Sequence, residues 1–585
     1  MSDFLCNWRS GALKKMGEMY GNGLQPEISS PFSMSTSSLE YQPHGPEQIQ
    51  KLHETPIYGQ RFLSIGLNMV SHTVDYIASQ INEIRALYGY LFPNNIRLII
   101  MQGDEPYWGS PRVVSHALHP SDIEGQLLHV EETRRRENSP SFSIIVRIPP
   151  ESLPNHNSSP DVWGPRTILH RVAVQRFPTM FEHLKYRIER RKLSQSREFH
   201  RWKKIRIARN FSNFTPIQEN KEKPSIVIAM HWLEMGGAEK FAFDCINIAV
   251  NAGFRVFIVA DKLAEQSRRT LFEGMPDIKF LRTDRYLRNE DWPLFLEKLV
   301  RAENVKALHI HHCSSAYSAL AHLRITCPSL RIMDTTHILE YNDGGYPRMS
   351  GVWSRFIDHH HVISANLAKF YNNEFATNRN VVLGRLIERR CESLSFRMIT
   401  EKNPLQLIFV GRLIHQKRPF LLIDIMKRLL KTYPTAKLKV VGDGPYKAAF
   451  EDLVLRNGFS DIITIYAPGS PVKKLMQSSD ILILPSANEG LALVCYEAIE
   501  NGVIPISSNV GAQSELLPDA CLTNPEPYRC VRETVDIIQN LVRNAEFLEK
   551  TKYELTMKYN IISNDPTGSE VVENLYHSIL VDENA

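Results

Sequence analysis

Nowhere in these 585 residues do some 18 apolar residues run uninterrupted, and this excludes a helix of the usual membrane-spanning kind. The first residues, MSDFLCNWRSGALKKMGEMYG, have no charged-then-apolar leader pattern, so no export is expected. Cysteine is sparse: eight residues are scattered without a CxxC pair or metal-ligand spacing. In a chain of this size they read as reduced thiols of a cytoplasmic protein. Charge of one sign is also scarce overall, with a net of +5. Nothing resembling a nucleic-acid reading module accompanies it, so no nucleic-acid partner is expected.

What is present is a soluble globular balance, 43% apolar and 23% charged, in a chain long enough for two to four domains. Residues 1–55 are rich in Ser, Pro and Gly and read as disordered or loosely ordered. From 56 to 180 the pattern is globular but of unknown role. A helix (VDYIASQINEIRALYGYLF) leads to a strand (IRLIIM), a mixed-charge segment (EGQLLHVEETRRREN) reads as helical, and FSIIVRIP closes the region. Residues 181–223 form a basic linker or helix, with eleven Lys or Arg between Lys185 and Arg209 against Glu189 and Glu198. A solvated helix is the plain reading. Contact with an anionic membrane face through 185–209, with Phe199, Trp202 and Ile205 as apolar anchors, is the alternative.

At Pro224 the rhythm changes. Short apolar runs such as SIVIAMHW, RVFIVAD, ALHIHH and RIMDTTH alternate with helical segments, and the series restarts after about residue 399 with LQLIFVG, LKVVGDG, IITIYA, DILILPS and VIPISS. Buried parallel strands in βα units give this pattern. Two series in tandem imply two facing doubly wound domains, 224–398 and 399–585, with a ligand cleft between them.

Three motifs fall at strand ends facing that cleft. Gly236 and Gly237 precede a helix, where glycine allows close approach of a ligand and free N–H groups favour an anion. Arg412 and Lys417 lie on one loop, one a bidentate fork and the other a compact charge, both suited to phosphate. The third begins after the strand that ends at Ser486 and runs through Glu489, Gly490, Leu491, Ala492, Leu493, Val494 and Glu497. Its two acids stand eight positions apart, the second in the early part of a helix. Carboxylates accept hydrogen bonds from sugar hydroxyls, and the N–H groups between them can cup a diphosphate.

Together GGAE, VGRLIHQKRP, VVGDGP, the E-x7-E element, Gly502 with Pro505, and GAQSE resemble the retaining nucleotide-sugar glycosyltransferases of family 4, over about residues 224–567. The resemblance implies an α/β fold of the GT-B class: two facing Rossmann-like domains, here preceded by an extra N-terminal α/β region. It implies a catalytic set of His337, Glu489, Arg412 and Lys417. Glu489 and His337 would meet the transferred sugar and Glu497 the ribose, while Arg412 and Lys417 neutralise the diphosphate. Gly236, Gly237, Gly442 and Gly490, with the backbone of Leu491 to Val494, would complete the donor site.

The family's EGFG stands here as Glu489-Gly490-Leu491-Ala492, which tolerates the added methyl only if φ stays negative. Arg418 replaces a glycine common after the loop lysine. The resemblance implies no cofactor and no metal, a nucleotide-sugar as co-substrate, and a glycan or lipid-linked acceptor in polysaccharide or glycoconjugate biosynthesis. The enzyme would be cytoplasmic or peripheral on the inner membrane face. A rival reading is a decayed GT-B scaffold protein, and others are an epimerase or a glycogen-type synthase on the same fold. The synthase's lysine-rich signature near the N-terminus is not found here.

Overall fold

The computed structural model describes residues 62–67, 74–91, 95–102, 111–114, 127–133, 141–148, 174–195 and 223–581, apart from 235, 341–343, 377–379, 388–393 and 400–403. The expectation for residues 1–55 lies outside them.

The first sheet holds β1 (Phe62–Leu67), β2 (Asn95–Gln102), β3 (Arg112–Val114), β4 (Leu127–Thr133) and β5 (Ser141–Ile148) in the order β1-β4-β2-β5-β3. Only β2 and β5 run parallel. Strand β4 corrects an expectation, because its mixed charges read as a helix. Glu131 is buried, and Arg85 grips both its oxygens, at 2.6 and 3.0 Å. A carboxylate neutralised by a partner 46 residues away does not have to face water, so the helical inference from its charge fails. Helix α1 (Val74–Leu91) buries Ile81, Ile84 and Leu87 in a core shared with Trp292, Phe295 and Leu299. The N-terminal sheet therefore packs through α1 on the domain that follows.

That domain is a parallel seven-stranded sheet: β6 (Ser225–Met230), β7 (Arg255–Ala260), β8 (Ile278–Leu281), β9 (Val305–His311), β10 (Arg331–Thr336), β11 (His359–Val362) and β12 (Val381–Leu383), in the order β12-β11-β10-β9-β6-β7-β8. A second parallel sheet follows: β13 (Gln406–Val410), β14 (Lys437–Val441), β15 (Ile463–Tyr466), β16 (Ile481–Leu484), β17 (Ile504–Ser508) and β18 (Leu522–Thr523), in the order β15-β14-β13-β16-β17-β18. Strands β6, β16 and β17 are buried along their whole length, the reason they read as unbroken apolar runs. Each order reverses once, beside β6 and β13, and at such a point the strand ends open a crevice. The expected pair of facing Rossmann-like domains is present.

Two helices cross the expected boundaries. Helix α2 (Pro178–Gln195) packs on α4 (Leu421–Leu429) and α6 (Pro527–Arg543) of the second domain. The last helix, α7 (Gly568–Val581), returns to the first domain, where Val572, Tyr576 and Ile579 join Phe241 and Cys245 of α3 (Gly237–Asn251). At the junction Arg385 reaches Glu515 at 2.5 Å and Asp565 at 2.8 Å.

Candidate functional site

The second domain supplies one wall of the cleft. Gly442, after β14, has φ +152, and a Cβ there would lie 2.0 Å from the Gly411 carbonyl oxygen. Only glycine lets these two strand-end loops run so close. From Gly411 the chain leads to exposed Arg412 and then to a 3₁₀ turn, His415–Lys417. Lys417 donates to the buried Glu489 at 2.5 Å, so two residues expected at the site from separate motifs do meet.

The loop after β16 touches the first domain. Asn488 donates to the Leu339 carbonyl at 2.6 Å. A Cβ on Gly490 would lie 2.0 Å from the His337 carbonyl oxygen, so the two loops meet without room for a side chain. Helix α5 (Leu493–Glu500) starts directly after, with Ala492 as its N-cap at φ −76. The angle is negative, as the extra methyl requires. The Ala492 N–H is engaged with Gln513 Oε1 at 3.2 Å, so of the N–H groups expected to cup a diphosphate, this one already has a partner. Leu491 is buried, and Leu493 and Val494 are half-buried. Glu497 lies a full turn into the helix, exposed at the rim.

On the first domain Gly236 caps α3 and Gly237 begins it. Glu239 turns inward and accepts from Trp232 at 2.8 Å, with His231 at 3.0 Å. Burial opposes its charge, but these two partners outweigh that and lower its pKa. The carboxylate therefore braces the helix start and is tied up in doing so. Lys240 was missed by sequence reasoning, although it directly follows GGAE. It shares a cavity of about 300 Å³ with Gly237 and Phe241 on one side and Leu493, Tyr496 and Glu497 on the other. Partial burial raises the pKa of Glu497, and the Lys240 charge draws it back.

His337 is buried, with Nε2 unpartnered. Desolvation first, then the neighbouring His361, pulls its pKa down to about 3, so it is neutral at neutral pH. His309, His311, His312 and His361 are depressed for the same leading reason. Among the described residues the ligand atoms of Cys245, His309 and His311 lie within 4.8 Å of one another. The nitrogens of His309 already meet Tyr576 Oη at 2.7 Å and Thr335 Oγ1 at 2.8 Å.

The basic stretch is described only as far as Gln195, and the rest, including Phe199, Trp202 and Ile205, lies outside the described residues. Lys185 turns into the protein and donates to Tyr446 Oη at 2.7 Å. Also missed was Glu515, which accepts from the backbone of Ala365 and Asn366 as well as from Arg385, and so ties the domains together. GAQSE marked it as notable without saying why. Among the described residues no helix is long and apolar enough to cross a membrane.

Residues 393–550 match the family model "Glycosyl transferases group 1". Over 326 residues the chain is 20% identical to a component of the phosphatidylinositol N-acetylglucosaminyltransferase of Arabidopsis thaliana, covering 52% of this chain and 72% of that one. It is 29% identical to the sulfoquinovosyl transferase SQD2 of the same plant, over 26% of this chain and 30% of that protein. It thus spans less than a third of the latter's length. Among solved structures, Anabaena HepE in complex with UDP and glucose aligns with 62% of this chain and all of its own, at 14% identity and a TM-score of 0.46. The match to the group 1 family model thus falls in the second half of this chain, within a two-domain GT-B fold.

Proposed function

We propose that this protein transfers a sugar from a nucleoside-diphosphate-sugar to a glycan or lipid-linked acceptor, with retention of anomeric configuration. The observation that supports this most is the cleft itself, where Gly237 and Lys240 face Leu493 and Glu497 across a cavity of about 300 Å³ and Lys417 stands on Glu489. In this reading Arg412 and Lys417 take the diphosphate charge, so that no metal is required. Lys417 exchanges its carboxylate partner for phosphate, which frees Glu489 to accept from sugar hydroxyls. Glu497 takes the ribose, and neutral His337 meets the sugar through Nε2. Positioning and electrostatic stabilisation of the departing diphosphate, in a cleft closed to water, then carry the reaction. Lys417 and Glu489 in contact speak against a decayed site.

A lipid-linked acceptor, reached from the cytoplasmic face of a membrane, is favoured by one further observation. Phe177, Met180, Leu184 and Ile188 are exposed at helical spacing on and just before α2, alongside exposed Arg187, Arg190 and Arg191. Such a stripe suits an anionic bilayer, and the Arabidopsis relative named above acts, by its name, on phosphatidylinositol.

Glu489→Gln tests the reaction. It keeps the shape of the side chain but removes the charge, and should cut donor turnover by about a hundredfold with the fold intact by circular dichroism. Unchanged turnover sinks the assignment. For the acceptor, Leu184→Glu with Ile188→Glu should abolish flotation on phosphatidylinositol-containing vesicles. Retained flotation removes the membrane part alone.

A further inference from the structure

Helix α2 precedes both Rossmann-like domains in the sequence, yet one of its faces closes on the phosphate-side turn. Glu182, Lys185 and Glu189 follow at i, i+3 and i+7, the spacing that puts side chains on one helix face. All three converge on the turn that carries Lys417. His415 lies between the two acids, with Nε2 2.6 Å from Glu189 and Nδ1 3.2 Å from Glu182. Lys185 stands 3.5 Å from His415 Nδ1. Arg418 is completely buried at φ +45, 4.0 Å from Glu182 and over the ring of Tyr186 at 5.5 Å.

Glu182 is also completely buried, and one of its oxygens faces both His415 Nδ1 at 3.2 Å and Arg418 Nε at 4.0 Å. A buried carboxylate is costly unless cations balance it, and the nearby cations are His415, Arg418 and Lys185. Burial alone would make the imidazole neutral, but Glu182 and Glu189 outweigh it and raise its pKa. Thr179 to Asp424 at 2.6 Å and Gln175 to Asp452 at 2.6 Å hold the same segment to the second domain.

The other side of the turn leads to the site. Gln416 donates through Nε2 to the Asn488 carbonyl at 2.9 Å, and its own carbonyl accepts from Ala487 N at 2.7 Å. Lys417 then meets Glu489. One three-residue turn thus joins α2 on its outer side to the Lys417–Glu489 pair on its inner side.

We propose that Glu182 and Glu189 are positioning residues for the donor diphosphate, acting through His415 and Arg418 to fix where Lys417 stands. The N-terminal region thereby supplies a working part of the donor site. This rests on the reading given under Proposed function. Charge on α2 sets the geometry of the turn, and the turn sets the phosphate contact, whereas base and ribose bind elsewhere. Loosening the clamp therefore weakens diphosphate binding selectively.

The test is calorimetric titration of the full chain with UDP, GDP and ADP and with the matching monophosphates, on the wild type, Glu182→Gln and His415→Gln. For whichever base binds, both variants should lose about tenfold in diphosphate affinity, with monophosphate affinity nearly unchanged and KM for the donor rising more than kcat falls. If Glu182→Gln does not fold, His415→Gln, which keeps both acids and the helix, gives the same comparison. Wild-type binding with an unchanged diphosphate-to-monophosphate ratio in a folded variant overturns this inference alone. No binding of any nucleotide by the wild type overturns both it and the reading it rests on.

Discussion

Arg418 shows how a single position carries opposing effects. Its left-handed backbone, φ +45, is one that glycine adopts without strain, and a non-glycine residue in that region costs about 1–2 kcal/mol. Against this, its guanidinium donates to the Pro525 carbonyl at 2.6 Å and balances buried Glu182. Removing one partner of a buried charge pair costs about 3–5 kcal/mol. Loss exceeds relief, so Arg418→Gly should destabilise the protein by about 2 kcal/mol in urea unfolding despite relieving the backbone. A gain in stability would show that backbone strain outweighs the charge pairing. At this scale the site was partly legible. Arg412, Lys417, Glu489 and Glu497 announce themselves by residue type at strand ends. Glu239 and Glu182 do not, because what ties them up stands on other elements, or far along the chain.

The element scale brings in the strand ends of the first domain. Strands β9 to β11 and the residues just beyond them place His309, His311, His312, His337 and His361 in the interior, each with its pKa lowered chiefly by burial. Such a group binds its proton more readily when unfolded, near its usual 6.5, than when folded, at about 3 for His337 and about 4 for His361. Stability should therefore fall as pH drops below about 6.5, at up to about 1.4 kcal/mol per pH unit for each histidine involved. Urea unfolding at several pH values between 6.5 and 4 checks this, and a flat profile would mean the histidines are already protonated in the fold. The strands themselves were easy to read, since parallel strands buried on both faces become apolar runs. Strand β4 was not, because Arg85 hides the charge of Glu131, and no local pattern shows a partner on helix α1. Nor does helical periodicity say which domain α2 or α7 will cover.

Over the whole molecule, function depends on two walls meeting. Gly490 sits against the His337 carbonyl at that closure, and Gly490→Ala would place a methyl 2.0 Å from that oxygen. The domains must then part, so turnover should fall at least about tenfold. Affinity for the nucleoside diphosphate, held mainly by the second domain, should change little. Equal losses in both would place the diphosphate on the closure contact itself. The tandem βα rhythm made the two walls predictable from sequence. The clamp of α2 behind one wall and the return of α7 to the other were beyond it, because both join segments hundreds of residues apart.

Binding of a nucleoside diphosphate against the Arg412–Lys417 loop is central to this mechanism, and a thermal-shift panel with UDP, GDP, ADP and CMP in metal-free buffer tests it most directly. A nucleotide at a hundred times its Kd adds about 2.7 kcal/mol to the folded state, enough for a clear rise in Tm. One nucleotide should raise Tm, and Arg412→Ala should abolish the rise. A Tm that no nucleotide moves would contradict the donor site.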